Sequence, residues 1–393
     1  MENSGKGMAD VTIEGTCDAR FARVREAFAE NFASRRETGA SVAIALDGRL
    51  VADLWGGWAD KARTRPWTRD TIVNVYSTTK GLTAICAHRL AGDGRLDRDA
   101  PVAKYWPEFA ANGKDRITVR HLLNHRAGLP AIRKPLVPED LYDWRTMTEA
   151  LAAEEPWWEP GTRHGYHALT FGYLVGEVIR RITAKSVGSY FMDEIAAPLG
   201  IDAHIGLDAH DDGRVAAMIG APPPAPGEFN LFAEMARNPE SVTAKTFMNP
   251  MALSMATVNS RGWRGAEIPA ANGHTNGRAL ARLYGALARG GETDGVRVMA
   301  AREIPACYVE ESRGPDEVLM IPTRFSSGFM LSQPGEEMGP NASAFGHPGA
   351  GGSLGFADPE AKIGFGYAMN RMGGGILLDP RAKALIAAAY ESL

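Results

Sequence analysis

Ser77 and Lys80 stand three residues apart in Val75-Tyr76-Ser77-Thr78-Thr79-Lys80-Gly81-Leu82, where a strand-like apolar run gives way to a helical pattern. On a helix, residues i and i+3 share a face with Cβ atoms about 5–6 Å apart, so the Lys80 amine can reach the Ser77 hydroxyl. A helix start also presents unpaired N–H groups and the positive end of the helix dipole. A hydroxyl, an adjacent base and an electropositive surround are the components of acyl transfer through a covalent intermediate. No other S-x-x-K occurs in the chain.

A second serine carries a competing motif. Gly351-Gly352-Ser353-Leu354-Gly355 matches G-x-S-x-G, the nucleophile elbow of α/β-hydrolases. That elbow needs a helix after the serine and a histidine later in the chain. Here Phe356-Ala357-Asp358-Pro359 follows in a hairpin pattern, and no histidine follows Ser353. The histidine pairs His121/His125 and His164/His167 have helical spacing but no H-E-x-x-H glutamate, so no metal site is expected from them.

Further motifs follow Ser77-Thr78-Thr79-Lys80 in a fixed order: Gly92-Asp93-Gly94-Arg95-Leu96-Asp97, Leu122-Leu123-Asn124-His125-Arg126-Ala127-Gly128-Leu129, Glu159-Pro160-Gly161, Tyr166-His167-Ala168-Leu169-Thr170, and Gly346-His347-Pro348-Gly349-Ala350-Gly351-Gly352-Ser353. In this order, over nearly the whole chain, the sequence resembles the serine β-lactamase-like superfamily, specifically the family VIII carboxylesterases related to class C β-lactamases. The resemblance implies Ser77 as acyl-accepting nucleophile and Lys80 with Tyr166 as the base system. A free lysine titrates near 10.4 and a tyrosine near 10, so either needs a neighbouring charge or desolvation to act as a base. Which of the two takes the Ser77 proton stays open, and Tyr76 and Tyr173 are the rival tyrosines. The Ser77 amide can supply one oxyanion donor, and the resemblance gives the second to the amide of Ala350; Pro348 has no N–H to offer. His347 and Gly349 are expected beside the substrate, and Trp157 and Trp158 either wall an acyl pocket or pack in the core.

Two departures bear on substrate. Tyr166-His167-Ala168 stands where β-lactamases carry Tyr-x-Asn, and His347-Pro348-Gly349 where they carry Lys-Thr-Gly. The lost amide and the lost cation favour a neutral carboxylic ester over an antibiotic carboxylate. The expected function is a serine carboxylesterase acting on short-chain esters, with weak β-lactam hydrolysis compatible. An acyltransferase, a β-lactamase or D-Ala-D-Ala peptidase, and a catalytically silent binding protein on the same fold are the alternatives. No cofactor is expected.

The elements that must position these residues are legible in outline. Phe21, Val24, Phe28 and Phe32 form one apolar stripe of a helix between Asp18 and Arg36. Ser41–Leu46 and Leu50–Trp55 flank Asp47-Gly48 as a hairpin. A helix bearing Ser77 and Lys80 is expected, with others over about 117–124, from Leu169 to about Arg181, over Arg278–Arg289 and over Asp379–Glu391, and strands at 325–332, 353–357 and 362–370. Ala221-Pro222-Pro223-Pro224-Ala225-Pro226-Gly227 reads as a surface loop. Strands at both ends and helices between predict an α+β protein of the β-lactamase/transpeptidase-like type: an antiparallel sheet flanked by helices from residues 10–75 and 290–393, an inserted mainly helical domain over 76–289, and the active site at the seam.

Bulk properties fit this. The 393 residues, 45% hydrophobic and 23% charged, describe an ordinary globular protein long enough for two cores. A net charge of −4 gives no footprint for nucleic acid or an anionic membrane. Met1–Gly7 lacks an apolar leader run, no stretch approaches 18 uninterrupted apolar residues, and Cys17, Cys86 and Cys307 are isolated. A cytoplasmic protein with a small-molecule ester as partner is the expectation.

Overall fold

The computed structural model describes residues 11–223, 231–375 and 377–393. Met1–Gly7 and the second half of the proline-rich stretch, from Pro224, lie outside these residues.

Nine strands make one antiparallel sheet in the order Ile13–Cys17, Arg49–Gly57, Gly39–Leu46, Ile363–Met369, Leu354–Asp358, Phe345–Pro348, Met330–Leu331, Pro322–Phe325 and Ser312–Pro315. The two ends of the chain meet at its centre, where Val42 pairs with Tyr367 and Ile44 with Phe365. The hairpin turns at Asp47 (φ 48°) and Gly48 (φ 84°), both in the left-handed region that a tight two-residue turn requires. The edge strand Ile13–Cys17 has no counterpart among the expected elements. It pairs along its whole length with Ala52–Gly56, but only Ile13 and Cys17 are even partly buried, so it lacks the alternation that marks a half-buried strand.

One face of the sheet is covered by helices Ala22–Ser34 and Pro380–Tyr390. Phe21, Val24, Phe28 and Phe32 are buried there with Phe356, Phe365 and Leu385, so the apolar stripe read from the sequence does face a core. The other face carries helix Gly277–Ala288 and, beyond it, the larger core of the helical part. This helix falls within 76–289, the stretch expected in the helical domain, yet it lies directly on the sheet. Its approach is close because glycines remove side chains at the contact: a Cβ on Gly364 would stand 2.1 Å from the Gly285 nitrogen and 2.4 Å from the Ala281 oxygen. Both obstacles are backbone, so they move only if the helix does. Gly364→Ala is expected to lower stability by about 1–3 kcal/mol, read as a lower urea midpoint at unchanged slope.

A smaller sheet, ordered Ala203–Ile205, Gly273–Thr275, Ile72–Asn74 and Val215–Ala216, joins the helical part to the seam. Its strand Ile72–Asn74 delivers the chain to Ser77, and the Val75 amide continues the pairing by donating to Gly273 O at 2.9 Å.

Candidate active site

The expected serine-bearing helix begins at Thr79, two residues after Ser77, and runs to Gly92. Ser77 stands instead in the turn between strand and helix. Tyr76 just before it is buried with φ 43°, a strained conformation for a side chain of that size and the means by which the chain reverses between Val75 and the helix. The spacing argument survives, because the Lys80 amide donates to Ser77 O at 2.9 Å and the turn keeps the i, i+3 relation.

Lys80 is fully buried, and its Nζ lies 3.2 Å from Ser77 Oγ. The same nitrogen donates to Ala168 O at 2.8 Å and Ala270 O at 3.0 Å. It also sits 4.6 Å from the centroid of the Tyr166 ring. No carboxylate accepts from it among these contacts, and burial holds its pKa well below the usual lysine range. A neutral amine has two N–H groups and one lone pair. An ammonium at this place would donate to all three acceptors; in the neutral form, which burial favours, two N–H groups on the carbonyls leave the lone pair for the Ser77 hydroxyl. The two carbonyls were missed by sequence reasoning, since backbone acceptors leave no signature in residue type.

Tyr166 is brought to the same point. Its amide donates to Asp316 Oδ1 at 3.0 Å, and the same carboxylate oxygen accepts from Val318 and Leu319 at 2.9 and 2.8 Å. Its ring stacks on Phe325 and stands 5.1 Å from His125. Burial raises the phenol's pKa, and the Ser77 side chain beside it pulls the other way. Both rivals are engaged elsewhere: Tyr173 donates to Leu141 O at 2.6 Å, and Tyr76 to Met372 Sδ at 3.5 Å.

The histidines that resemble metal pairs hold loops. His125 Nδ1 accepts from the His167 amide at 3.1 Å, and His167 Nε2 accepts from the Leu129 amide at 3.0 Å. Burial pushes the pKa of His167 down to about 3 and that of His125 well below its usual value. His347 is equally buried, 6.0 Å ring to ring from Tyr166, and burial pushes its pKa too down to about 3. Its Nδ1 lies 2.7 Å from Pro348 O, which fixes the proton there, and Nε2 has no hydrogen-bond partner among the described residues. The surround of Ser77 is therefore held largely neutral.

Of the other expected contacts, Ala350 is exposed at the turn after Pro348, whereas Gly349 is buried. Trp158 is also buried, 8% exposed, standing edge-on to His167 and against Gly165. Its indole edge stands against the residue that precedes Tyr166. Trp157 donates to Ala131 O and lies beneath the Arg133 guanidinium.

The turn carrying Ala350 is also held from the far side of the sheet. Arg381, from the helix Pro380–Tyr390, donates through Nη2 to Gly351 O at 2.9 Å. The same guanidinium binds Glu37 and Asp379 at 2.9 and 2.8 Å, with all three side chains at most 5% exposed. Tyr367 completes the cluster through Glu37.

Comparison with known proteins agrees with this architecture. The family model described as Beta-lactamase matches residues 24–389. "Esterase/beta-lactamase LipL" of Mycobacterium tuberculosis (strain ATCC 25618 / H37Rv) is 40% identical over 365 residues, 92% of this chain and 83% of that protein. The crystal structure of a family VIII carboxylesterase superposes with a TM-score of 0.90 at 46% identity, covering 97% of this chain and all of that one. A penicillin-binding protein homolog from Caulobacter crescentus superposes with a TM-score of 0.89 at 41% identity, again over 97% of this chain and all of the other. With the family model spanning nearly its full length, the chain belongs to the beta-lactamase family.

Proposed function

We propose that the protein is a serine carboxylesterase that hydrolyses neutral short-chain carboxylic esters through an acyl-enzyme on Ser77. One observation carries the reading: the buried Lys80 Nζ lies 3.2 Å from Ser77 Oγ and 2.8 and 3.0 Å from Ala168 O and Ala270 O, so its deprotonated form can keep two N–H groups on the carbonyls and aim its lone pair at the nucleophile. Lys80 takes the Ser77 proton as Oγ attacks the ester carbonyl, and the amides of Ser77 and Ala350 receive the oxyanion. Collapse breaks the bond to the alkoxide, which leaves as the alcohol after taking a proton from Tyr166 or Lys80. Water then attacks the acyl group by the same route and frees Ser77. Because burial raises its pKa, Tyr166 works as a phenol that passes protons and not as a standing phenolate.

The printed names of the esterase relative and the family VIII structure support an ester as substrate. A buried, neutral His347 at the place of the β-lactamase lysine supports an uncharged one. Weak β-lactam turnover is compatible, and the double name of the mycobacterial relative favours testing it with a chromogenic cephalosporin. Among the described residues no helix is long and apolar enough to cross a membrane. The three cysteines are free, which supports a reducing compartment, and we place the enzyme in the cytoplasm.

Reaction with a fluorophosphonate, followed by peptide mass mapping, tests the assignment. One adduct per chain on the peptide containing Ser77 is expected. Labelling of Ser353, or no adduct, would overturn it. Tyr166→Phe is expected to reduce kcat by about 100-fold with little change in KM, because the phenol acts on protons in flight and not on the bound ester.

A further inference from the structure

Ser353 is left without a task by the proposed mechanism, although it is 1% exposed and sits at the end of the turn that bears Ala350. The turn closes on itself, with the Gly349 amide donating to Ser353 O at 2.7 Å and the Gly352 amide to Gly349 O at 3.0 Å. Ser353 Oγ then leaves the turn and donates to Val75 O at 2.8 Å. That carbonyl belongs to the residue two before the nucleophile and also accepts from the Thr78 amide at 3.1 Å. Thr78 Oγ1 lies 3.1 Å from Ser353 Oγ. Since the Ser353 proton is committed to Val75, the Thr78 hydroxyl donates to Ser353. Contact between the two segments is tight, for a Cβ on Gly349 would stand 2.2 Å from both Ser353 Oγ and Val75 O.

The two oxyanion donors thus sit on either side of one small hydrogen-bonded unit. The Ser77 amide lies between Val75 and Thr78, and the Ala350 amide lies between Gly349 and Ser353. We propose that Ser353 is a positioning residue of the oxyanion hole, its hydroxyl setting the separation of the Ser77 and Ala350 amides by joining their segments through Val75 and Thr78. The proposal rests on the esterase reading above. It assigns the serine of the misleading G-x-S-x-G motif a role in the reaction without contact to substrate.

Loss of one oxyanion donor costs about 100- to 1,000-fold in kcat, and a loosened donor costs part of that. For Ser353→Ala we expect kcat per active site to fall about 10- to 100-fold with KM within about twofold. Active sites are counted by fluorophosphonate titration of Ser77, so unfolded protein does not enter the rate. The preference for an oxygen ester over its thionoester, whose larger and softer sulfur fits the hole poorly, should shrink in the variant, a change that general loss of stability does not produce. Thr78→Val, which keeps the shape but removes the hydroxyl that orients Ser353, should move both readouts the same way by a smaller factor, and it serves if Ser353→Ala does not fold. Full kcat per titrated site in either variant, or an unchanged oxygen-to-sulfur preference, would overturn the proposal. Ser77→Ala separates the two readings: if it stays active the esterase assignment itself fails, whereas an inactive Ser77→Ala beside a fully active Ser353→Ala removes only the positioning role.

Discussion

Ser77→Ala should abolish turnover of p-nitrophenyl acetate and butyrate, lowering kcat by about 10,000-fold or more, the range seen when the nucleophile of an acyl-transfer site is removed. The loss is chemical and not structural. Ser77 is only partly buried, its amide remains in place after substitution, and Tyr76 still imposes the turn that precedes it. Melting temperature and near-UV circular dichroism should therefore match the parent, with a stability change of about 0.5 kcal/mol at most. Binding of ester should persist, since the alanine variant keeps the other walls of the site. Activity near the parental level in Ser77→Ala would move the nucleophile elsewhere, and the same ester assays would then be repeated with Ser353→Ala.

Lys80→Met should cost about 1,000- to 10,000-fold in kcat/KM, because it removes the base while keeping the length and apolar stem of a side chain that has no exposure. The pH profile makes this specific. Desolvation lowers the Lys80 pKa, so the neutral, proton-accepting form persists below the range where a lysine in water is already charged. Protonation fills the lone pair that faces Ser77, so kcat/KM should fall as pH drops through the depressed value, with one proton taken up. Burial pushes the pKa values of His347 and His167 down to about 3, below any neutral-range limb, so these rings do not generate it. Tyr166→Phe should retain that acid limb at reduced amplitude. Lys80→Met should show none, its residual rate being flat or rising only with hydroxide. An acid limb unchanged in Lys80→Met would assign the base to another group.

The candidate catalytic side chains are legible in part because their chemistry is written in residue type. The serine with a lysine one turn on is read from spacing, whereas Tyr166 follows only from the family resemblance, with Tyr76 and Tyr173 as rivals; the structure brings Ser77, Lys80 and Tyr166 together. What was not legible lies in the backbone. Ala168 and Ala270 define the state of Lys80 only through their carbonyls, and alanine says nothing about where its carbonyl goes. The sequence pattern starts the helix at Ser77, two residues before its actual start at Thr79, because the strain at Tyr76 has no marker in the sequence; a glycine there would announce it. Helix Gly277–Ala288 is legible as a helix over Arg278–Arg289, but its apolar stripe does not say which layer it covers, and its place on the sheet depends on glycines 364 and 366 in a strand far along the chain. Trp158 shows the same limit, since a tryptophan suits a pocket wall and a core equally well until its neighbours are known.

The buried cluster around Arg381 joins parts of the chain made early and late. Ser77, Lys80 and Tyr166 are all made in the first half of the chain, whereas Ala350 and the arginine that holds Gly351 O come from its last strands and last helix. Synthesis proceeds from the N-terminus, so the segments bearing Ser77, Lys80 and Tyr166 are made well before the turn bearing Ala350. In the folded chain the Arg381 guanidinium joins that turn to Glu37, just before the opening hairpin, so one buried ion pair ties the last helix, the Ala350 turn and the start of the sheet together.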